Sequence, residues 1–452
     1  MNRLFSAVPG VVLLTTLTLS GQTVRFETNV GNINVQLLPA DAPKTVANFL
    51  HYLNSGAFNG SFIHRSVQGF VFQGGGYTWS DSAGPVAVPS NAPVVNEFKI
   101  SNTRGTIAMA KLGSDPNSAT SQWYFNEVDN SSNLDNQNGG FSVFGRVADA
   151  TSLAVMDAIA NEPTFDASGT FGSDFTDLPL VNYDGVNFSS QNLVLVSSIV
   201  VVPAISDNGV IAASDFGGTS TAAVGSFIEI YGTNLAGTTR MWRGSDFNKG
   251  KAPTTLDGVT ATVGGKPAYI SFVSAGQVNV QVPSGVSTGE SVQVVVNYKS
   301  QATAPATLTI EPLAGAIFAP AAFKVNGKQY VGAYHVNGTV ITNGNIHGLP
   351  AAPAVPGETV QFYGLGFGPV TSGAPITGQL ATGQTKLSTS VEFLFGDQKL
   401  PGTVLYQGLA PGFVGLYQFN VTIPATVPSG DVAVHVSQGT TSLPQTLYIS
   451  VK

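Results

Sequence analysis

The stretch SFIHRSVQGFVFQGGG, Ser61 to Gly76, decides how the first part of this chain is read. It sets one arginine, Arg65, at the end of a strand, follows it with Phe70 and Gln73, and closes on a glycine turn. Upstream, VRFETNVGNINVQLL from Val24 reads as a hairpin turning at Asn29 to Asn32. Between the two, APKTVANFLHYLNSG places Val46, Phe49, Leu50 and Leu53 at i, i+3, i+4 and i+7, one apolar helical stripe. Pro43 suits the first turn of that helix and Gly56 its stop. Downstream, Ser152 to Ala160 predicts a second helix with Leu153, Met156, Ile159 and Ala160 inward, and everything between the helices reads as short strands and loops.

The whole chain supports a mainly β reading. Its 452 residues suggest about three domains. Frequent turns are implied by 52 Gly and 26 Pro, while a charged fraction of 10% leaves a surface built from Ser, Thr, Asn, Gln and Gly. With 19 Lys plus Arg and a net charge of −7 there is no basic stripe, so nucleic acid is not an expected partner. The absence of cysteine excludes disulfides, thiolate zinc sites and Cys nucleophiles. Arg3, an apolar run from Leu4 to Leu19 and the small residues Ser20 and Gly21 predict a cleaved export signal over residues 1–22, hence a periplasmic, surface or extracellular location. No later segment is long and apolar enough to span a bilayer.

Three further segments join Ser61 to Gly76: RGTIAMA (Arg104 to Ala110), SATSQWYF (Ser118 to Phe125) and NLDNQNGGFSVFGRV (Asn133 to Val147). In residue type, spacing and order the four resemble the signature of the cyclophilin family, and most closely its shorter exported bacterial branch. The resemblance covers Thr23 to about Val202. It implies an eight-stranded closed barrel capped by two helices, and a peptidyl-prolyl cis/trans isomerase acting on X-Pro bonds without cofactor or metal. Carried over by position, Arg65 matches the catalytic arginine, with Gln73 beside it and His64 before it. Phe70 and Val71 match the wall of the proline pocket and Leu134 its floor. Ala110 and Lys111 match the strand edge that binds substrate backbone, and Gln122 and Tyr124 the next glutamine and aromatic. His64 is expected as a structural hydrogen-bonding residue rather than a general base. Two positions depart from the pattern. Asn133 stands where many members have Trp or Phe, which speaks against tight cyclosporin binding, and Phe141 stands at the pocket rim where His or Tyr is common.

Residues 203–223 turn to Gly, Ser, Thr and Ala and read as a linker. Beyond them the chain repeats itself. GSFIEIYGTNL from Gly225 aligns with GETVQFYGLGF from Gly357, and QVNVQVPSGVSTG from Gln277 with QFNVTIPATVPSG from Gln418, a duplication with a small insertion in the second copy. Two immunoglobulin-like sandwiches are predicted, at 224–313 and 314–452. These segments resemble an uncharacterised C-terminal repeat family of exported bacterial proteins, similar in style to IPT-type sandwiches. Spacer, surface attachment or partner recognition are the roles this suggests, with cell-envelope or glycan contact through loops around Trp242 and Tyr269 as one form. A non-catalytic proline-segment or glycan-binding adhesion protein is the alternative to an isomerase. Neither YGLGFGP at Tyr363 to Pro369 nor the acidic run Asp166 to Asp177 has the context of a phosphate loop or an EF-hand, and they are expected as a β-turn and a solvated loop.

Overall fold

The computed structural model describes residues 21–213, 221–344, 346, 349–371 and 377–452. The predicted export segment lies outside them apart from its last two residues. The described chain forms two compact units, one ending at Val202 and the other starting at Pro203. None of the described helices is long and apolar enough to cross a membrane.

The first unit runs β1 (Thr23–Thr28), β2 (Asn32–Leu37), α1 (Pro43–Asn54), β3 (Ser61–Phe62), β4 (Arg65–Val67), β5 (Val71–Gly74), β6 (Tyr77–Ser80) and β7 (Gly84–Ala87). It continues with β8 (Thr106–Met109), β9 (Trp123–Asn126), α2 (Ser131–Leu134), β10 (Val143–Val147) and α3 (Ala150–Ala160). It ends with β11 (Thr164–Phe165), α4 (Ser168–Phe171), β12 (Leu178–Pro179) and β13 (Leu195–Val202). One sheet takes the order β4-β5-β9-β8-β10-β2-β1-β13-β3-β6-β7. β3 and β4 stand far apart along that path, yet only Ile63 and His64 separate them in the chain, so the sheet curls until its ends meet. Counted with β3 and β4 as one interrupted strand, eight staves surround the core, and β6 and β7 extend as a hairpin.

The core inside is aromatic. Phe26, Phe49, Phe58, Phe72, Trp123, Phe125 and Phe144 are each at most 1% exposed, and Phe26 meets Trp123 edge-on at 5.0 Å and Phe125 at 5.4 Å. The glycine turn follows from this packing. A Cβ on Gly74 would stand 2.6 Å from the Trp123 ring and one on Gly75 2.5 Å from its Nε1. Both predicted helices form, with shifted stripes. In α1 the buried set is Thr45, Val46, Phe49 and Tyr52, while Leu50 and Leu53 are half-buried; Tyr52 goes inward because its hydroxyl accepts from Asn91 N at 2.7 Å. In α3 Ser152 is buried and Leu153 half-buried, since the Ser152 hydroxyl accepts from Asn34 N at 2.9 Å.

In the second unit each copy is a pair of facing sheets with its own core. Phe227–Thr233 pairs with Gln277–Gln281, and Val259–Val263 with Glu290–Tyr298. The second copy repeats both pairings, Thr359–Leu365 with Tyr417–Thr422 and Val391–Phe395 with Gly430–Gln438. The shared Tyr-Gly pair has a steric cause. A Cβ on Gly232 would lie 2.0 Å from Ala204 O, and one on Gly364 2.6 Å from Ala316 O, so each glycine lets a neighbouring strand pass close.

One expectation is corrected here. Of the predicted linker, Ala204–Ala212 is a strand paired with Phe227–Thr233, and Thr221–Ala223 pairs in parallel with Ala306–Glu311. The Asn208-Gly209 pair that looked like linker is part of a bulge: the register shifts between Ile205 and Val210, and Asn208 has φ 54°.

The copies are joined by one isolated antiparallel bridge, Lys251 with Gln379. Ala252 N donates to Gly378 O at 2.7 Å and Leu380 N to Gly250 O at 3.0 Å, while Gly378 N donates to the buried Gln281 Oε1 at 2.7 Å. Tyr269, 8% exposed, packs with Ala252 and Val414 in this junction, and the half-buried Trp242 meets Phe227 edge-on and Phe247 at a tilt.

Candidate active site

The candidate residues come together through register. Directly opposed residues of antiparallel strands point to the same face of a sheet. Arg65 of β4 opposes Gln73 of β5, Gln73 opposes Tyr124 of β9, Tyr124 opposes Ala108 of β8, and Ala108 opposes Val143 of β10. Five side chains thus line one row across five strands. Their neighbours Phe72, Trp123, Phe125, Ile107 and Phe144 point the other way and belong to the barrel core. The row lies on the outer surface of the barrel.

Against this row packs a small apolar cluster separate from the core. Val71, Ala108, Tyr124, Leu134 and Val143 are buried in it, and Phe70, Ala110 and Phe141 remain half-exposed. Phe141 meets Tyr124 edge-on at 5.9 Å. All six apolar residues carried over from the resemblance, Phe70, Val71, Ala110, Tyr124, Leu134 and Phe141, therefore share one cluster whose outer members face solvent.

Polar residues flank it. Gln73 Nε2 donates to Gln122 Oε1 at 2.6 Å, and Gln122 O accepts from Ala110 N at 2.9 Å. The Arg65 side chain is 35% exposed and its Nε lies 3.8 Å from Asp177 Oδ2. A guanidinium carries five N–H donors in a planar fork, so groups remain for a ligand.

Two carried-over residues have side chains engaged within the protein. His64 is 2% exposed, packed edge-on against Tyr77 at 5.2 Å and Phe175 at 6.3 Å. It lies in the break between β3 and β4, behind Gln122. Burial pushes its pKa down to about 4, the Asp174 carboxylate opposing, Arg65 adding to the fall and a hydrogen bond with Gln122 opposing it. It is a neutral residue behind Gln122. Lys111, expected at the edge that binds substrate backbone, sends its side chain to the rim loop, donating through Nζ to Asn138 O at 2.8 Å and Gly140 O at 2.5 Å. Its ammonium also lies 4.6 Å from the centre of the Phe141 ring. Lys111 ties down the rim loop. Asn133 is exposed on α2 and accepts from Gln137 Nε2.

Sequence reading missed the polar frame beneath the cluster. Tyr124 donates its hydroxyl to Asn102 Oδ1 at 2.8 Å. Asn102 Nδ2 donates to Asp135 Oδ1 at 3.0 Å and to Phe141 O at 3.2 Å. Asn126 Nδ2 donates to Thr106 Oγ1 at 2.8 Å, and Asn130 Nδ2 to Asn126 Oδ1 at 2.9 Å and Phe70 O at 2.8 Å. Asn102 and Asn126 are fully buried. Three asparagines thereby fix the backbones carrying Phe70, Leu134 and Phe141. Isolated Asn residues in a chain rich in them carry no sequence signal of such a role.

The acidic run from Asp166 does not gather its carboxylates. Asp166 Oδ1 accepts from Ser168 N at 2.9 Å, Asp174 Oδ2 accepts from Tyr77 Oη at 2.5 Å, and Asp177 faces Arg65. Its chain packs Phe175, Leu178 and Leu180 into an aromatic cluster with Phe62, Tyr77, Trp79 and Phe171.

Comparison with known proteins places the N-terminal unit in a family. Residues 23–174 match the family model for cyclophilin-type peptidyl-prolyl cis-trans isomerases, and residues 218–310 that for IPT/TIG domains. A peptidyl-prolyl cis-trans isomerase of Acinetobacter baylyi is 37% identical over 167 residues, 36% of this chain and 85% of that protein. Peptidyl-prolyl cis-trans isomerase A of Dickeya dadantii is 38% identical over 162 residues, 34% of this chain and 82% of that protein. For peptidyl-prolyl cis-trans isomerase B of Escherichia coli the figures are 38% over 147 residues, 31% and 85%.

Proposed function

The chain belongs to the cyclophilin-type peptidyl-prolyl cis-trans isomerase family through its N-terminal unit, and from that premise we propose that the outer row catalyses rotation about X-Pro bonds, with Arg65 as donor. Rotating a peptide bond sacrifices its resonance, a barrier of about 18–20 kcal/mol. X-Pro bonds are the natural substrate because their cis and trans forms differ by only about 0.5–1 kcal/mol.

A catalyst of this step has no bond to break. It must hold the proline ring still and bind the twisted amide better than the planar one. As conjugation is lost, the imide nitrogen becomes basic. The Arg65 guanidinium donates to it or to the prolyl carbonyl, stabilising the twisted state without giving up a proton. Phe70, Leu134, Tyr124 and Phe141 grip the pyrrolidine ring, and Gln73, held by Gln122, orients the substrate backbone. The observation that carries this reading is the register row from Arg65 to Tyr124 bordering an apolar cluster that is half-open to solvent.

The test is cis-to-trans conversion of an X-Pro peptide by the full chain and by Arg65→Ala. The wild type speeds conversion and the variant falls far behind. Equal rates would transfer the domain to the class of non-catalytic proline-segment binders. The clients we propose are exported proteins with slow X-Pro bonds, for which the predicted export signal is the support. The sandwich pair serves as spacer, surface attachment or partner-recognition module, and pull-down of cell-wall material by the full chain would favour attachment through glycan.

A further inference from the structure

We propose that Asp177 is a positioning residue for Arg65, supplied to the site by the acidic run between α3 and β13. The proposal rests on the reading of Arg65 as donor. It goes further by assigning a task to a residue outside the four signature segments.

An exposed carboxylate near an arginine is by itself worth little. Here the carboxylate is held in place from three sides. Asp177 O accepts from Ser66 N at 2.8 Å, so the backbone of Asp177 runs alongside the strand that carries Arg65. Its neighbours on the chain are anchors, with Phe175 2% and Leu178 1% exposed. Its Oδ2 accepts from Thr176 Oγ1 at 2.9 Å, which orients the carboxylate. That same oxygen lies 3.8 Å from Arg65 Nε.

Nε is the inner nitrogen of the guanidinium. A counter-charge on that side holds the head of a long, rotamer-rich side chain while leaving the two terminal nitrogens to a ligand. Because Arg65 acts on the twisted amide, an arginine free to wander weakens turnover more than binding. The other carboxylates of the run do not compete: Asp174 is engaged with Tyr77 and Asp166 with Ser168.

The experiment measures kcat and KM of the full chain on an X-Pro peptide, with thermal melting as the control for folding. Asp177→Asn lowers kcat about threefold to tenfold with KM and melting unchanged. Asp177→Glu, which restores the charge, recovers at least half of the loss. In an Arg65→Lys background, which keeps a cation and lacks Nε, Asp177→Asn costs nothing further. Thr176→Val, which frees the carboxylate without altering charge, gives a smaller loss of the same kind and carries the test if Asp177→Asn melts early. Wild-type kcat in Asp177→Asn, or the same loss in the Arg65→Lys background, overturns the proposal while leaving Arg65 as donor. Wild-type activity in Arg65→Ala would instead remove the donor itself, and Asp177 would fall with it.

Discussion

Strand β9 shows two regions of one molecule back to back. Trp123 and Phe125 point inward, 1% and 0% exposed, and meet Phe26 at about right angles. Gln122 and Tyr124, alternating with them, point outward to Gln73 and Asn102. The inner residues are defined by volume alone, the outer ones by which atom faces which neighbour. The same four residues thus serve stability and chemistry with almost no overlap, and substitutions on the two faces should fail differently.

The sharpest break of that contrast comes from the inner face. Phe125→Ala removes a fully buried ring and should cost about 3–5 kcal/mol of stability in chemical unfolding. The protein that remains folded should keep its isomerase rate. On the outer face Arg65→Ala should do the reverse, lowering kcat/KM by about 10²–10³ while the melting temperature holds. If Phe125→Ala lost activity per folded molecule, or Arg65→Ala lost stability, the two faces would not be independent.

His64 sharpens the comparison through pH. Its imidazole ordinarily titrates at 6.5 and in the folded protein at about 4. Between those values the unfolded chain takes up a proton that the folded chain refuses. Stability is therefore fully present above pH 6.5 and declines as pH falls toward 4, by on the order of 3 kcal/mol. Unfolding titrations from pH 7 to pH 4.5 should show this decline and His64→Gln should flatten it. Turnover between pH 6 and 8 should show no inflection from His64, since its ring stays neutral there. The smallest expected effect is Tyr124→Phe, which deletes one hydrogen bond to Asn102 at about 1 kcal/mol and leaves the ring in the cluster. A large fall in kcat from that change would give the phenol a catalytic part.

How far the sequence was legible follows the same division. Arg65, Gln73 and Tyr124 were placed together from segments far apart by the family resemblance, and the strand register sets them in one row. The helix at Pro43 came through because apolar periodicity is local. What did not come through depends on where long side chains end. Lys111 reads only as part of a strand edge, and the sequence does not show that two loop carbonyls, of Asn138 and Gly140, take up its ammonium. His64 stands next to Arg65 in the chain but is buried behind Gln122 against Tyr77 and Phe175. The strand Ala204–Ala212 was hidden because its bulge is spelled with Asn and Gly, the residues of a linker. Asn102, Asn126 and Asn130 form a network only once the chain has folded.

The junction between the two sandwiches has a consequence of its own. Gly- and Ser-rich tethers let what they carry sweep through a volume, and affinity at two points then depends on how often both ends arrive together. The backbone of Gly378 to Leu380 laid along Gly250 to Ala252 makes the pair a bracket instead of a tether. Any surfaces the two copies offer stand at a set distance and bearing, so a target with matching spacing meets both at once, and one with a different spacing meets a single copy.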